Sequence, residues 1–150
     1  MRIICDTREK YPWDFIFHDV SITRASLPVG DYTSEKLNGI LAIERKATPS
    51  EVAINLGQKK DKERFFAELE KLKEIKHAYI VCEFSEQDVY RFPHGLPPSV
   101  KKKIRLTGRG LMRIIKDAEE KFGIPFLFLN SKSQAEEFVY KLMLDLEKRL

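Results

Sequence analysis

The run Ala78–Phe84, AYIVCEF, is the sequence feature that most constrains the fold. It is too apolar for a strand with one face in water, so it predicts a strand inside a sheet that is covered on both faces. Other short apolar or alternating runs predict further strands, at Ile3–Cys5, Val20–Leu27, Gly30–Ser34, Ile40–Lys46 and Ile124–Leu129. Together these runs predict a chain built around one sheet.

Helical patterns fill the gaps between these runs. Thr48 can cap a helix that has Pro49 at its first position, and Glu51 completes a capping box, so a helix is expected to run from there to about Leu56. Apolar stripes predict three more helices, at about 62–75, at 111–122 with Gly123 closing it, and from Ser131 or Ser133 onward. The expected fold is α/β, with a mixed sheet and helices on both of its faces.

Length and composition favour one domain, residues 1–150. A chain of 150 residues with 43% hydrophobic positions can bury one ordinary core. No apolar run has the roughly 18 residues that a bilayer helix needs, and the N-terminus lacks the apolar stretch of a signal peptide. We therefore expect no membrane partner and a cytoplasmic location, or a nuclear one if the source is eukaryotic. Cys5 and Cys82 lie in strand-like runs and are expected to be buried thiols.

The positive charge is concentrated in one segment. The net charge is only +4, yet no acidic residue lies between Asp88 and Asp117, where eight lysines and arginines occur among prolines and glycines. This pattern is typical of a flexible element that contacts phosphates. A solvated lysine-rich loop would give the same pattern, so charge alone leaves both interpretations open.

Glu44 and Lys46 suggest a catalytic site. Side chains alternate along a strand, so these two share a face while Arg45 points to the other side. In the preceding hairpin strand, Asp31 can bring a second carboxylate beside Glu44. Two adjacent carboxylates repel each other, and Mg²⁺ or Mn²⁺ commonly resolves this repulsion. The set therefore suggests metal-assisted phosphodiester hydrolysis, although a Glu-x-Lys pair alone is more often an ordinary ion pair.

Five segments in this order resemble the nuclease domain of the XPF family of structure-specific endonucleases, which includes the archaeal Hef nucleases: ICDTRE, LPVGDY, AIERK, RFFAEL and YIVCEF. The resemblance covers at least Ile3–Phe84, and the start of the chain is most similar to compact stand-alone prokaryotic or viral members. It implies a restriction-endonuclease-like fold of the PD-(D/E)xK type. It also implies cleavage of branched, flap or junction DNA with Mg²⁺ or Mn²⁺, leaving a 5′-phosphate, by a homodimer or with a partner protein.

The resemblance also assigns roles to residues. It implies that Asp31 and Glu44 bind the metal, that Asp6 lies near it, and that the Arg45 carbonyl is a further ligand. Lys46 matches the catalytic lysine. The residues expected to bind nucleic acid are Arg8 and Arg64, which match the family, and the basic-segment residues Lys101, Lys102, Lys103, Arg105 and Arg109. The side chain of Arg45 is expected to support the site through ion pairing, because the strand directs it away from Lys46.

Two departures from the family pattern matter. Ser50 occupies the position of the motif's last aspartate. Glu51 could supply the missing negative charge only if its side chain left the capping box, and we favour the capping box. No room is expected for the helix-hairpin-helix domain of longer members. A non-catalytic module that binds DNA or a partner protein therefore remains the alternative to an enzyme. Two other choices stay open: Tyr11 and Trp13 could stack on an unpaired base or close the core, and the apolar stripe of the last helix could pack in the core or dock on a second copy.

Overall fold

The computed structural model describes residues 1–150, which form a six-stranded mixed sheet in the order β2-β1-β3-β4-β5-β6. The β1–β3 and β3–β4 pairs are antiparallel and the other three pairs are parallel. The strands are β1 (Arg2–Asp6), β2 (Ser21–Ala25), β3 (Tyr32–Ser34), β4 (Leu41–Lys46), β5 (His77–Cys82) and β6 (Phe126–Phe128). The mixed sheet of an α/β fold is therefore confirmed, with strand ends that differ from the predicted ones by a few residues.

Six helices connect and cover the strands: α1 (Pro49–Gly57), α2 (Lys59–Lys73), α3 (Glu86–Tyr90), α4 (Pro98–Lys101), α5 (Gly108–Phe122) and α6 (Lys132–Lys148). Thr48 caps α1 by accepting the Glu51 N–H, as predicted, and Gly123 ends α5 in the left-handed conformation that glycine adopts readily. None of the helices is long and apolar enough to cross a membrane.

The sheet separates two apolar cores. On one face, α1, α2, α3 and α5 pack on residues such as Ala42 and Ile80. On the other face, α6 packs on Ile3, Ile43 and Val81, and the stretch between β1 and β2 covers the rest. The α6 stripe is thus largely core, as one of the two interpretations held, because Val139, Met143 and Leu146 are buried. Cys5 and Cys82 are buried free thiols, and burial raises the pKa of both.

The basic segment differs from the flexible element that its composition suggested. It follows the short helix α3 and contains the short helix α4, and Val89 and Phe92 anchor its start in the core. Gly108, at the start of α5, packs directly against α3: a Cβ there would lie 2.1 Å from the carbonyl oxygen of Tyr90. Apolar residues between the charges therefore fold this segment onto the domain and leave the charged side chains in water.

Candidate active site

Asp31 lies beside Glu44 where the β3–β4 pair begins. In this pair Tyr32 lies opposite Ile43. The Asp31 N–H also donates to the carbonyl of Ile43, at 2.7 Å, and the charge of Glu44 acts on the Asp31 carboxyl. Gly30, just before it, has φ +75° and lies against the backbone of Ile43, so that a Cβ would be crowded there. Glycine therefore allows Asp31 to enter the strand beside Glu44.

The two carboxylates are held in an unfavourable state. Burial, together with the charge of Glu44, raises the pKa of Asp31 to about 8, although the Arg45 N–H donates to its Oδ2 at 2.8 Å. Burial also raises the pKa of Glu44, against the opposing effect of Lys46, whose Nζ lies 3.5 Å from Glu44 Oε1. One ammonium thus faces two carboxylates, and the site lacks positive charge.

This deficit fits a divalent cation, because hard cations prefer carboxylate oxygens and compensate their repulsion. Asp31 and Glu44 are the residues that would hold it. No group of three acidic, histidine or cysteine side chains converges closely enough to hold an ion by itself. Backbone oxygens and water would therefore complete the coordination, and the role of the Arg45 carbonyl stays a prediction.

Lys46 lies at the wall of a groove beside these carboxylates. Its side chain is only 9% exposed, and its Nζ lies 4.9 Å from the centroid of the Phe65 ring. The groove has a volume of about 440 Å³, and Arg64 lines it together with Glu44 and Lys46. The structure therefore brings Arg64 to the site, as the sequence predicted, with its cationic end available to a phosphate.

Asp6 does not have the environment of a metal ligand. Its side chain is completely buried, and both carboxylate oxygens accept hydrogen bonds: Oδ1 from the Leu27 N–H at 2.8 Å, and Oδ2 from the N–H and Nε of Arg8. Burial alone would raise the pKa of Asp6, but these hydrogen bonds lower it. The geometry instead supports a positioning role, in which Asp6 fixes the end of β1 and aligns Arg8. Arg8, two-thirds exposed, remains able to contact a phosphate.

The Arg45 side chain lies on the opposite face of β4, where it forms ion pairs as predicted. It contacts Glu9 at 3.0 Å and Glu83 at 2.9 Å, and it lies over the ring of Trp13. Trp13 Nε1 donates to Glu83, and its ring stacks on Tyr32. Trp13 therefore closes the core and is not free to stack on a base.

The environments of Ser50 and Glu51 show whether either residue takes the place of the motif's last aspartate. Glu51 Oε1 accepts the Ala47 N–H at 2.9 Å while the Glu51 N–H donates to Thr48. Glu51 thus serves the helix start, as we favoured, although its side chain accepts from Ala47, one residue before the cap, and does not complete the predicted capping box with Thr48. Ser50 lines a different, apolar pocket with Ala53 and Ile54. Neither residue supplies a negative charge to the groove of Glu44 and Lys46.

The basic segment presents its charges away from this groove. Lys101, Lys102, Lys103, Arg105 and Arg109 are all exposed. Arg105 borders the apolar pocket that also contains Ser50, on the far side of α1 from the groove. Their contact with nucleic acid stays a prediction.

Three polar groove residues, Asn55, Asp61 and Glu68, were not predicted from the sequence. Asn55 Oδ1 is buried without a hydrogen-bond partner. A signal for Glu68 existed in the sequence, since it lies four residues after Arg64 and thus on the same face of a helix. No comparable signal marks Asn55, because its position depends on how α1 packs on α2.

The chain matches the ERCC4 domain over residues 5–142. The structure of XPF from Aeropyrum pernix has the same fold, with a TM-score of 0.68 and 21% identity over 95% of this chain and 60% of that one. A second structure of that protein, in complex with DNA, gives a TM-score of 0.69 and 21% identity, covering 99% of this chain and 66% of that one.

The chain thus spans about two thirds or less of the length of those proteins. No curated protein sequence matches it. The likeness at 21% identity establishes the shared fold, and the domain match extends over most of the chain. This confirms the resemblance to the XPF nuclease domain: the chain belongs to the ERCC4-domain family.

Proposed function

We propose that this domain is a metal-dependent endonuclease that hydrolyses phosphodiester bonds in branched, flap or junction DNA and leaves a 5′-phosphate. The observation that carries the proposal is the pair of partly buried carboxylates, Asp31 and Glu44, beside the ammonium of Lys46. A protein that only bound DNA would gain nothing from two such carboxylates, which repel phosphate. The DNA-bound structure of XPF from Aeropyrum pernix, which shares this fold, supports DNA as the substrate.

Mg²⁺ or Mn²⁺ bound by Asp31 and Glu44 would polarise a phosphoryl oxygen and lower the pKa of a water molecule. Lys46 is placed to hydrogen-bond the attacking water and to offset the negative charge that develops on the phosphorus oxygens. Its burial against Phe65 fixes the ammonium in one position. Arg64, which lines the groove, and Arg8, on which the charge of Asp31 acts, are exposed cations that would hold the phosphates on either side of the cleaved bond.

A cleavage assay on flap, splayed and duplex DNA with Mg²⁺ or Mn²⁺ tests the proposal. We expect the wild type to cut branched substrates in preference to duplex, and Lys46→Ala to lower the rate by a factor of about 10² or more. Lys141→Ala is a matched control, because this exposed lysine lies on α6, on the other side of the sheet. Ligation of the product without prior phosphorylation would identify the 5′-phosphate.

Absence of cutting by the wild type, or equal cutting by Lys46→Ala, would reject the enzyme. In that case a non-catalytic module that binds DNA or a partner protein becomes the better interpretation. The serine at position 50, in place of the motif aspartate, favours that interpretation. Circular dichroism spectra of each variant ensure that a lost activity does not reflect unfolding.

A further inference from the structure

Helix α2 places a carboxylate across the groove from β4. Glu68 lines the groove with Glu44 and Lys46, and its side chain is 32% exposed where that of Glu44 is 14% exposed. Glu68 is therefore nearer to water, on the helical wall. The charge of Glu68 acts on residues from two strands of the sheet region, because it raises the pKa of Glu44, on β4, and the pKa of Arg8, just after β1. Asp61 lines the same groove.

The cations of the groove do not neutralise Glu68. Its one ion-pair partner is Lys71, at 3.5 Å, whose side chain is 55% exposed and therefore screened by water. Lys46 pairs with Glu44, and Arg8 pairs with Asp6. Arg64 also lines the groove but forms no ion pair with Glu68. Glu68 thus adds a third carboxylate to the region of Asp31 and Glu44, and no buried cation pairs with it.

We propose that Glu68 supplies the third negative charge that binds the divalent cation, in place of the motif aspartate that is serine at position 50. The inference rests on the proposed function, because it concerns the same cation. No three acidic side chains converge closely enough to hold an ion directly. Glu68 therefore acts through its charge and through hydrogen bonds from the water that Mg²⁺ retains.

The test is the affinity for Mn²⁺, measured by isothermal titration calorimetry on the full chain without DNA. Glu68→Gln removes the charge and keeps the size, and we expect it to weaken Mn²⁺ binding by about tenfold or more, the range typical of residues that hydrogen-bond to metal ligands. Glu70→Gln is the matched control on the exposed side of the same helix, and we expect it to stay within twofold of the wild type. Glu44→Gln should abolish binding.

Each outcome has a distinct meaning. An affinity of Glu68→Gln within twofold of the wild type overturns the role of Glu68, while the proposed function stands if Glu44→Gln still abolishes binding and the wild type still cuts DNA. A wild type that neither binds Mn²⁺ nor cuts overturns both. Thermal unfolding of Glu68→Gln checks the fold, and the half-buried position of the residue makes a folded variant the expected result.

Discussion

Replacing Asp31 by asparagine should stabilise the metal-free protein. The carboxyl has a pKa of 3.8 when unperturbed and about 8 in the fold. At pH 7 this carboxyl must therefore take up a proton on folding, which opposes folding by at most about 4 kcal/mol at 1.36 kcal/mol per pKa unit. Asparagine carries no charge and keeps an oxygen that can accept the Arg45 N–H. We expect Asp31→Asn to raise the free energy of unfolding at pH 7 by about 2–4 kcal/mol.

The sign of the pH dependence follows from the raised pKa. The folded state holds the Asp31 proton more tightly than the unfolded state, so the stability that this group contributes is complete below about pH 4 and is lost as the pH rises towards 8. The difference in stability between Asp31→Asn and the wild type should therefore be small at pH 4 and largest near pH 8. Urea unfolding followed by circular dichroism, with EDTA present, measures it at each pH.

Metal and a surface control complete this experiment. Mn²⁺ should stabilise the wild type, more at pH 8 than at pH 5, and should leave Asp31→Asn unchanged, since a ligand that binds only the folded state stabilises it. Asp145→Asn, at an exposed position on α6, should shift the stability by less than about 0.5 kcal/mol. If Asp31→Asn proves no more stable than the wild type at pH 7 without metal, the carboxylates do not oppose each other, and the reasoning that places a cation there is refuted.

Further variants test the rest of the structure. Arg45→Met should lower the free energy of unfolding in urea by about 3–5 kcal/mol, because it leaves the partly buried carboxylates of Glu9 and Glu83 without their cation, and only Glu83 keeps a donor, Trp13 Nε1; a loss below 1 kcal/mol would contradict this. Gly108→Ala should cost about 1–3 kcal/mol, since its Cβ would collide with the Tyr90 carbonyl, whereas Gly57→Ala, with open space around it, should not destabilise. Changing Lys101–Lys103 to glutamate should weaken binding to flap DNA and reduce the slope of log K against log salt by about 3, as fluorescence anisotropy would show; an unchanged slope would remove this segment from the DNA interface.

The fold could be predicted well because its signals are local and repeated. The apolar run at β5, the capping pattern at Thr48 and the stripe of α5 each specify an element and the face that it buries. The alternation in β4 likewise placed Glu44 and Lys46 on one face and Arg45 on the other, as observed. The short helices α3 and α4 were missed because composition describes the charges of that segment and not the packing of Phe92 beneath them.

The details of the site depended on contacts that no local pattern reveals. An aspartate at the end of a strand suits a metal ligand or a structural anchor equally well, and only the packing of Leu27 and Arg8 on Asp6 decides for the anchor. The role of Trp13 likewise depends on a distant contact, the hydrogen bond that it donates to Glu83, seventy positions along the chain. Glu68 carries a helical-spacing signal that becomes meaningful only once α2 is known to lie over β4.

The central claim is that Asp31 and Glu44 share a divalent cation beside Lys46. Anomalous diffraction from crystals of the domain containing Mn²⁺ measures this directly. The account predicts a manganese peak bridging the two carboxylates on the side of the sheet that faces α2. A map with no peak at that position while the crystals contain the metal, or with the two carboxylates turned apart, would contradict it.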